Sequence, residues 1–232
     1  MNNPYPPATG RIDDRTSVGA SQAFLVHAFA WMFAGLLLTA GVAAVVQSSK
    51  TLTTFAADNL LLLFIGQLAL VVVISGAINR LSATAALGLF FVYAGTLGLT
   101  VGLIVQYYTG ASVVVAFASA SAMFGAAAVY GATTRRSLAG LGGILFMGLI
   151  GLIVASVLNL FLHSDGVSWG ISIVGVVIFT ALTAFDVQRI QSGTLVAQLG
   201  SVEKAAVIGA LRLYLDFINL FLFMLRLMGG RR

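Results

Sequence analysis

Two carboxylates lie inside apolar stretches: Asp186 within Thr180-Ala-Leu-Thr-Ala-Phe-Asp-Val-Gln-Arg-Ile190, and Asp216 within Leu211-Arg-Leu-Tyr-Leu-Asp-Phe-Ile-Asn-Leu220. Around the second acid, Gly209, Arg212, Asp216, Asn219 and Phe223 recur at helical spacing and form one polar stripe. Arg212 and Asp216 are four residues apart, a spacing at which they could pair directly. Two acids in contact repel when both are ionised, so one takes up a proton. That is the chemistry of a proton-sensitive gate, with Asp186 and Asp216 as its titrating pair and as hard oxygen ligands for a cation. The plainer reading makes the stripe a glue between helices, each polar group satisfied by a neighbour. Other chemistries lack their residues. There is no cysteine, and the only histidines, His27 and His163, are too far apart for a His-x-x-x-His zinc motif. No cofactor is expected, and the chain reads as a non-enzyme.

Composition sets what must position these acids. Of 232 residues, 59% are hydrophobic and only 8% are charged, against about a quarter charged in soluble domains. The charges cluster between apolar runs of roughly 20 residues, the length that crosses ~30 Å of hydrocarbon. The expectation is an all-α, polytopic membrane protein with seven spans, at 24–46, 60–78, 83–105, 113–133, 141–162, 169–190 and 205–227. The connectors are short, so sequential helices run antiparallel in one bundle. The first run is longer than the ~7–15 apolar residues of a cleaved signal peptide and is read as a retained helix. Residues 1–17, which hold all three prolines, are expected to be a disordered cytoplasmic tail, and 18–232 a single membrane domain.

Lys and Arg in the connectors set the orientation. With the amino end in the cytoplasm, the inner side collects Arg11, Arg15, Arg80, Arg135, Arg136, Arg189 and Lys204, and the outer loops only Lys50. The net charge of +5 is therefore assigned to topology and anionic lipid, not to nucleic acid. Arg226, Arg231 and Arg232 break the pattern. Either the last segment overrides the charge rule or it is re-entrant; its length favours a full crossing. Asp186 then lies toward the inner end of the sixth span and Asp216 near the middle of the seventh. Arg80, at the inner end of the second span, could reach Asp186 or snorkel to headgroups. Asp58, at the outer start of that span, could draw cations to the mouth or simply be a solvated helix-start acid. Gly95, Gly98 and Gly102, Ser121 with Gly125, and Gly148 with Gly151 and Ala155 read as sites of close helix approach.

The last third of the chain carries a resemblance. Ala181-Leu-Thr-Ala-Phe-Asp-Val-Gln-Arg-Ile190, Gly209-Ala-Leu-Arg-Leu-Tyr-Leu-Asp-Phe-Ile-Asn-Leu-Phe-Leu222 and Leu225-Arg-Leu-Met-Gly-Gly-Arg-Arg232 resemble the bacterial branch of the transmembrane Bax-inhibitor-motif family. Leu87-Gly-Leu-Phe-Phe-Val-Tyr93, Met123-Phe-Gly-Ala126, Tyr130-Gly-Ala-Thr-Thr-Arg-Arg136 and Leu145-Phe-Met-Gly-Leu-Ile-Gly151 agree with it. The resemblance implies a seven-helix bundle with the last helix at its centre, in a bacterial inner membrane. It also implies a pH-sensitive calcium leak gated by a carboxylate pair, which Asp186 and Asp216 match. An arginine on the second helix is implied as a latch for the sixth-helix acid, and Arg80 is the basic residue nearest that position. Members often carry a small polar residue where this chain has Arg212, a cation placed to occupy the carboxylates and compete with calcium.

Three other readings are weighed against the leak. A regulatory protein that binds a membrane partner, such as a protease or stress factor, would suit a bundle without an evident wide polar path. Intramembrane aspartyl proteolysis lacks its Gly-x-Gly-Asp and Pro-Ala-Leu elements, and a light-driven pump lacks a mid-membrane lysine, since Lys50 and Lys204 lie at membrane borders.

Overall fold

The computed structural model describes residues 14–230, with side chains from residue 24 onward. The described residues form nine α-helices and no strand: α1 (Asp14–Ser48), α2 (Lys50–Asp58), α3 (Leu60–Gly76), α4 (Ala83–Val105), α5 (Gly110–Thr133), α6 (Gly142–Leu162), α7 (Asp165–Gln191), α8 (Thr194–Leu199) and α9 (Val202–Met228). A 3-10 turn at Ala139–Leu141 leads into α6. Several starts have a local cause in the sequence. Ser49, Ser82, Thr109, Ser164 and Ser201 each accept a hydrogen bond from the amide three residues on, satisfying a donor that the first helical turn leaves open.

Six helices are long and apolar enough to cross a bilayer, and α2 with α3, bent by 73°, makes a seventh when taken as one span. Hydrogen bonds show which ends share a face. Lys204 Nζ donates to the Asn79 carbonyl at 3.3 Å, bringing the start of α9 beside the α3–α4 turn. Gln188 Nε2 donates to the Arg136 carbonyl at 2.9 Å, bringing the end of α7 beside the α5–α6 loop. This end of the bundle carries Arg80, Arg135, Arg136, Arg189 and Lys204 and is the basic face. At the other end, Gln106 Nε2 donates to Thr53 Oγ1 at 3.1 Å, and the Gly230 amide donates to Ser112 Oγ at 2.9 Å. Both α3 and α9 therefore run from one face to the other. The last segment is one unbroken helix between the two ends of the bundle, without the break a re-entrant turn would need.

Three sequence expectations need correction. The connector at 47–59 was expected to be a loop but is mostly the helix α2, whose single buried residue is Ala56. Its threonines, Lys50 and Asp58 read as a loop because a helix of nine residues with mixed polarity shows no continuous apolar run. The connector at 191–204 holds α8, flanked by Gly193 and Gly200 in left-handed conformation (φ 70° and 63°). Helix α1 begins at Asp14, inside the stretch assigned to a disordered tail; residues 1–13 lie outside the described residues.

Helix α9 is the hub, packing against α1, α4, α5, α7 and α8. Most of its side chains from Ala205 to Leu225 are buried. Helices α3 and α6 lie further out, α3 against α4 and α6 against α7. They leave Leu61, Leu62, Phe64, Phe146, Ile153 and Phe161 exposed, a surface suited to hydrocarbon and not to water. Close approach occurs where α4 meets α1: a Cβ on Gly98 would sit 2.6 Å from Val42 Cβ and 2.9 Å from the Thr39 carbonyl. Gly102 meets Val46 in the same way, but Gly95, Gly125 and Gly151, expected on the same grounds, border open space.

One polar contact ties the hub to its neighbours. Tyr214, fully buried, shares a 2.5 Å hydrogen bond with Thr39 Oγ1, which also lies 2.9 Å from the Ala94 carbonyl and 3.0 Å from the Gly35 carbonyl. Thr39 has a single proton, which serves those carbonyls, so the Tyr214 hydroxyl donates. Tyr214→Phe keeps the ring packing on Phe90 and Tyr93 and removes that donor. The expected loss is about 1 kcal/mol of stability, read as a lower Tm of the purified protein in detergent.

Candidate functional site

The seam between α7 and α9 holds the two acids. Asp186 is on the last turns of α7, toward the basic face, and Asp216 is at the middle of α9; both are buried. Gly209 lets the helices approach, since a Cβ there would meet Ile190 Cδ1 at 3.2 Å and Ala28 Cβ at 3.3 Å. Arg212, one turn nearer the basic face than Asp216, donates from Nη1 to Asp186 Oδ1 at 3.0 Å. Asp186 is 8% exposed in this ion pair and Arg212 34%, so the carboxylate is enclosed while the guanidinium retains contact with the surroundings. The charge of Arg189 also acts on Asp186, and those of Asp186 and Arg212 both act on Asp216. Asp216 Oδ2 is buried and has no hydrogen-bond partner.

The direct pairing of Arg212 with Asp216 does not form. An arginine four residues before an acid is the poorer order for a helical pair, and side chains tilt toward the helix start, which carries Arg212 away from Asp216 and toward Asp186. Arg80 also differs from expectation: it is exposed in the turn after α3, its amide donating to the Ala77 carbonyl at 2.8 Å, and it pairs with neither acid. Asp58 closes α2 instead of opening the following helix, and it is exposed. Asn219 Nδ2 donates to the Leu215 carbonyl one turn back at 2.8 Å, so its amide is turned onto its own helix. Beyond Asn219, Phe179 and Phe223 face each other across the seam. The rings of Phe179 and Phe223 lie 5.9 Å apart, and Phe223 covers Gly175 so closely that a Cβ there would meet its Cε2 at 2.5 Å. The acids are thus capped on the side away from the basic face.

Gln188, two residues after Asp186, went unnoticed in the sequence although it sits in the same motif. Its Oε1 accepts from the Leu138 amide at 2.7 Å and its Nε2 donates to the Arg136 carbonyl, clamping the α5–α6 loop to the end of α7. A glutamine between Asp186 and Arg189 at a helix end was the available signal; its partner, a backbone loop 50 residues away, was not. Among the described residues no three of His, Cys, Asp and Glu gather as a metal-binding set. A divalent cation at the Asp186–Asp216 pair would therefore need further oxygens from water or carbonyls, because calcium takes ~6–8.

A helical bundle with a lipid-suited surface, and an enclosed carboxylate paired with a partly exposed guanidinium at the seam of its last two long helices, defines a polytopic membrane protein with an ionic site between its helices. The chain belongs to the Bax inhibitor-1-like family: the family described as "Inhibitor of apoptosis-promoting Bax1" matches residues 21–232. It is 42% identical over 217 residues to the inner membrane protein YbhL of Escherichia coli K12, covering 91% of this chain and 93% of that one. An uncharacterized protein of Borreliella burgdorferi is 41% identical over 214 residues, covering 90% and 92%. The uncharacterized protein YrjE of Lactococcus lactis is 38% identical over 230 residues, covering 94% of each chain.

Proposed function

We propose that this protein is a cation leak of a bacterial inner membrane, with calcium as the favoured ion, held closed by Arg212 on Asp186. The observation that carries the reading is the 3.0 Å ion pair beside a second buried carboxylate whose Oδ2 has no partner. Ionisable groups at bilayer depth cost ~2.5–3.5 kcal/mol each on insertion scales and are kept where they act. Three of them meet at one seam. In this reading Arg212 is a tethered cation occupying the ligand that a passing ion would use, the part the resemblance assigned to Arg80. Release of Arg212 leaves Asp216 as the charged ligand of a weak, water-completed site to which residue 186 adds an oxygen, and weak binding suits conduction because ions must leave as well as enter. The positive-inside rule puts the basic face in the cytoplasm, together with the amino end. YbhL is named as an inner membrane protein, which supports the same location. No covalent chemistry is involved.

The test is calcium entry into liposomes containing purified protein, followed with an internal indicator. Asp216→Asn removes the negative charge at mid-membrane, and calcium flux is expected to fall roughly tenfold or more, by the loss of one charged ligand. Flux equal to that of empty liposomes at every pH would end the proposal. The aromatic cap beyond Asn219 supports a second reading, a regulatory protein acting through a membrane partner without conduction. In that case Asp186→Asn and Asp216→Asn would leave the cellular phenotype intact while changes in loops abolish it.

A further inference from the structure

The basic face contains a cleft of about 570 Å³ between the α5–α6 loop and the α7–α8 junction, lined by Arg135, Arg136, Ser137, Phe185, Arg189 and Thr194 among others. That volume is within the ~300–1,000 Å³ of small-molecule sites. Three arginines line it, and among the described residues no carboxylate does. The nearby acid that would balance Arg189, Asp186, is already bonded to Arg212. Arg189 uses Nη2 on Gln198 Oε1 at 2.9 Å and keeps its other donors. Ser137 Oγ accepts from the Ala139 amide at 3.3 Å, so its proton remains to be donated. The wall that presents these groups is fixed, because Gln188 holds both the Leu138 amide and the Arg136 carbonyl. Arg135 and Arg136 follow directly on α5, and Arg189 is in the last turn of α7, so the cleft sits where these spans leave the hydrocarbon.

We propose that this cleft is a binding site for a phosphate-bearing anion, most simply the headgroup of an anionic glycerophospholipid in the leaflet it borders. Positive-inside topology alone asks for charge in the loop and not for three arginines lining one clamped cleft. Guanidinium forks match phosphate oxygens two at a time, which lysines cannot do. Phe185 and Ala139 add an apolar side wall for the glycerol and first acyl carbons. The proposal does not require conduction at the acid seam, although Arg189 is common to the two sites.

The experiment uses the full chain in a neutral detergent, with Tm and native mass spectrometry as readouts. Dihexanoyl-phosphatidylglycerol is titrated against dihexanoyl-phosphatidylcholine, and inorganic phosphate against chloride. Phosphatidylglycerol is expected to bind about tenfold more tightly than the zwitterionic lipid, and Arg189→Gln to remove that preference. Should Arg189→Gln not fold, the exposed pair Arg135→Lys/Arg136→Lys keeps the charge needed for insertion and still loses the forked donors, weakening binding severalfold. Phosphate binding as tightly as phosphatidylglycerol identifies a soluble phosphate compound as the ligand; phosphate failing where the lipid binds identifies the headgroup. Equal binding of both lipids by wild type, with no effect of phosphate, overturns the site.

Discussion

Arg212→Ala is expected to raise calcium leak into proteoliposomes roughly tenfold or more at neutral pH, the factor that follows from losing a charge-assisted hydrogen bond of ~1.5–3 kcal/mol. The substitution removes the cation that occupies Asp186 and leaves both carboxylates in place. Asp186→Asn should release Arg212 from the other side, so each single change breaks the same contact. The two changes combined should then add nothing to the first in opening the latch, since residues that act as one pair are non-additive. A leak through Arg212→Ala that matches wild type would show that the ion pair holds nothing closed. Independent, additive effects would show that the two residues act separately.

The same contact gives the sign of the pH response. The bond to Arg212 requires Asp186 as a carboxylate, so acidification that protonates Asp186 weakens it and frees Arg212. Protonation at Asp216, which no partner holds as a carboxylate, acts the other way by taking away a negative ligand. The pH response of flux therefore belongs to the pair and not to single residues, with opening set by Asp186 and ligand loss by Asp216. Arg212→Ala removes the opening step and should leave only the loss of flux on acidification. The charged groups that act on this pair are Arg212 from α9 and Arg189 from α7. Arg189→Gln is accordingly expected to shift the profile without abolishing its shape.

How much of this could be read from the sequence depends on whether a feature is set within one helix or between two. Helix α4 begins and ends at the residues expected from its apolar run, 83–105, because hydrocarbon thickness and the Ser82 cap act locally. The acids were legible for the same reason: an Asp inside 20 apolar residues stands out without any knowledge of neighbours. The central place of α9 came only from resemblance, although its continuous burial explains why small and large apolar residues mix on every side of it. What escaped was the choice of partner. Arg212 had two acids within reach and the local spacing pointed to Asp216, while the rotation of α9 against α7 selected Asp186. Helix α2 escaped because its periodicity is short and polar, and Tyr214 because a buried tyrosine declares nothing of the Thr39 that receives its proton.

The rotation that selects Asp186 is fixed from outside the seam, which leads to the largest expected effect on stability. Gly131 on α5 lies against α7, and a Cβ there would run into the carbonyl oxygen of Ala184. The obstacle is backbone, so no side-chain rotation relieves it and α5 and α7 must separate. Overpacking of that kind costs about 1–3 kcal/mol, which for a chain of this size lowers Tm by roughly 2–12 °C. Gly125 lies on the same helix with nothing within 4 Å of a Cβ, so Gly125→Ala should be neutral or slightly stabilising through helix propensity. Ala184 is two residues from Asp186, and pushing α7 outward draws that acid from Arg212. Gly131→Ala should therefore also flatten the pH dependence of flux, and Gly125→Ala should not. Equal Tm values for the two variants would mean that the α5–α7 approach does not position the acid; a lower Tm with an unchanged pH profile would mean that Asp186 and Arg212 stay together when the bundle loosens around them.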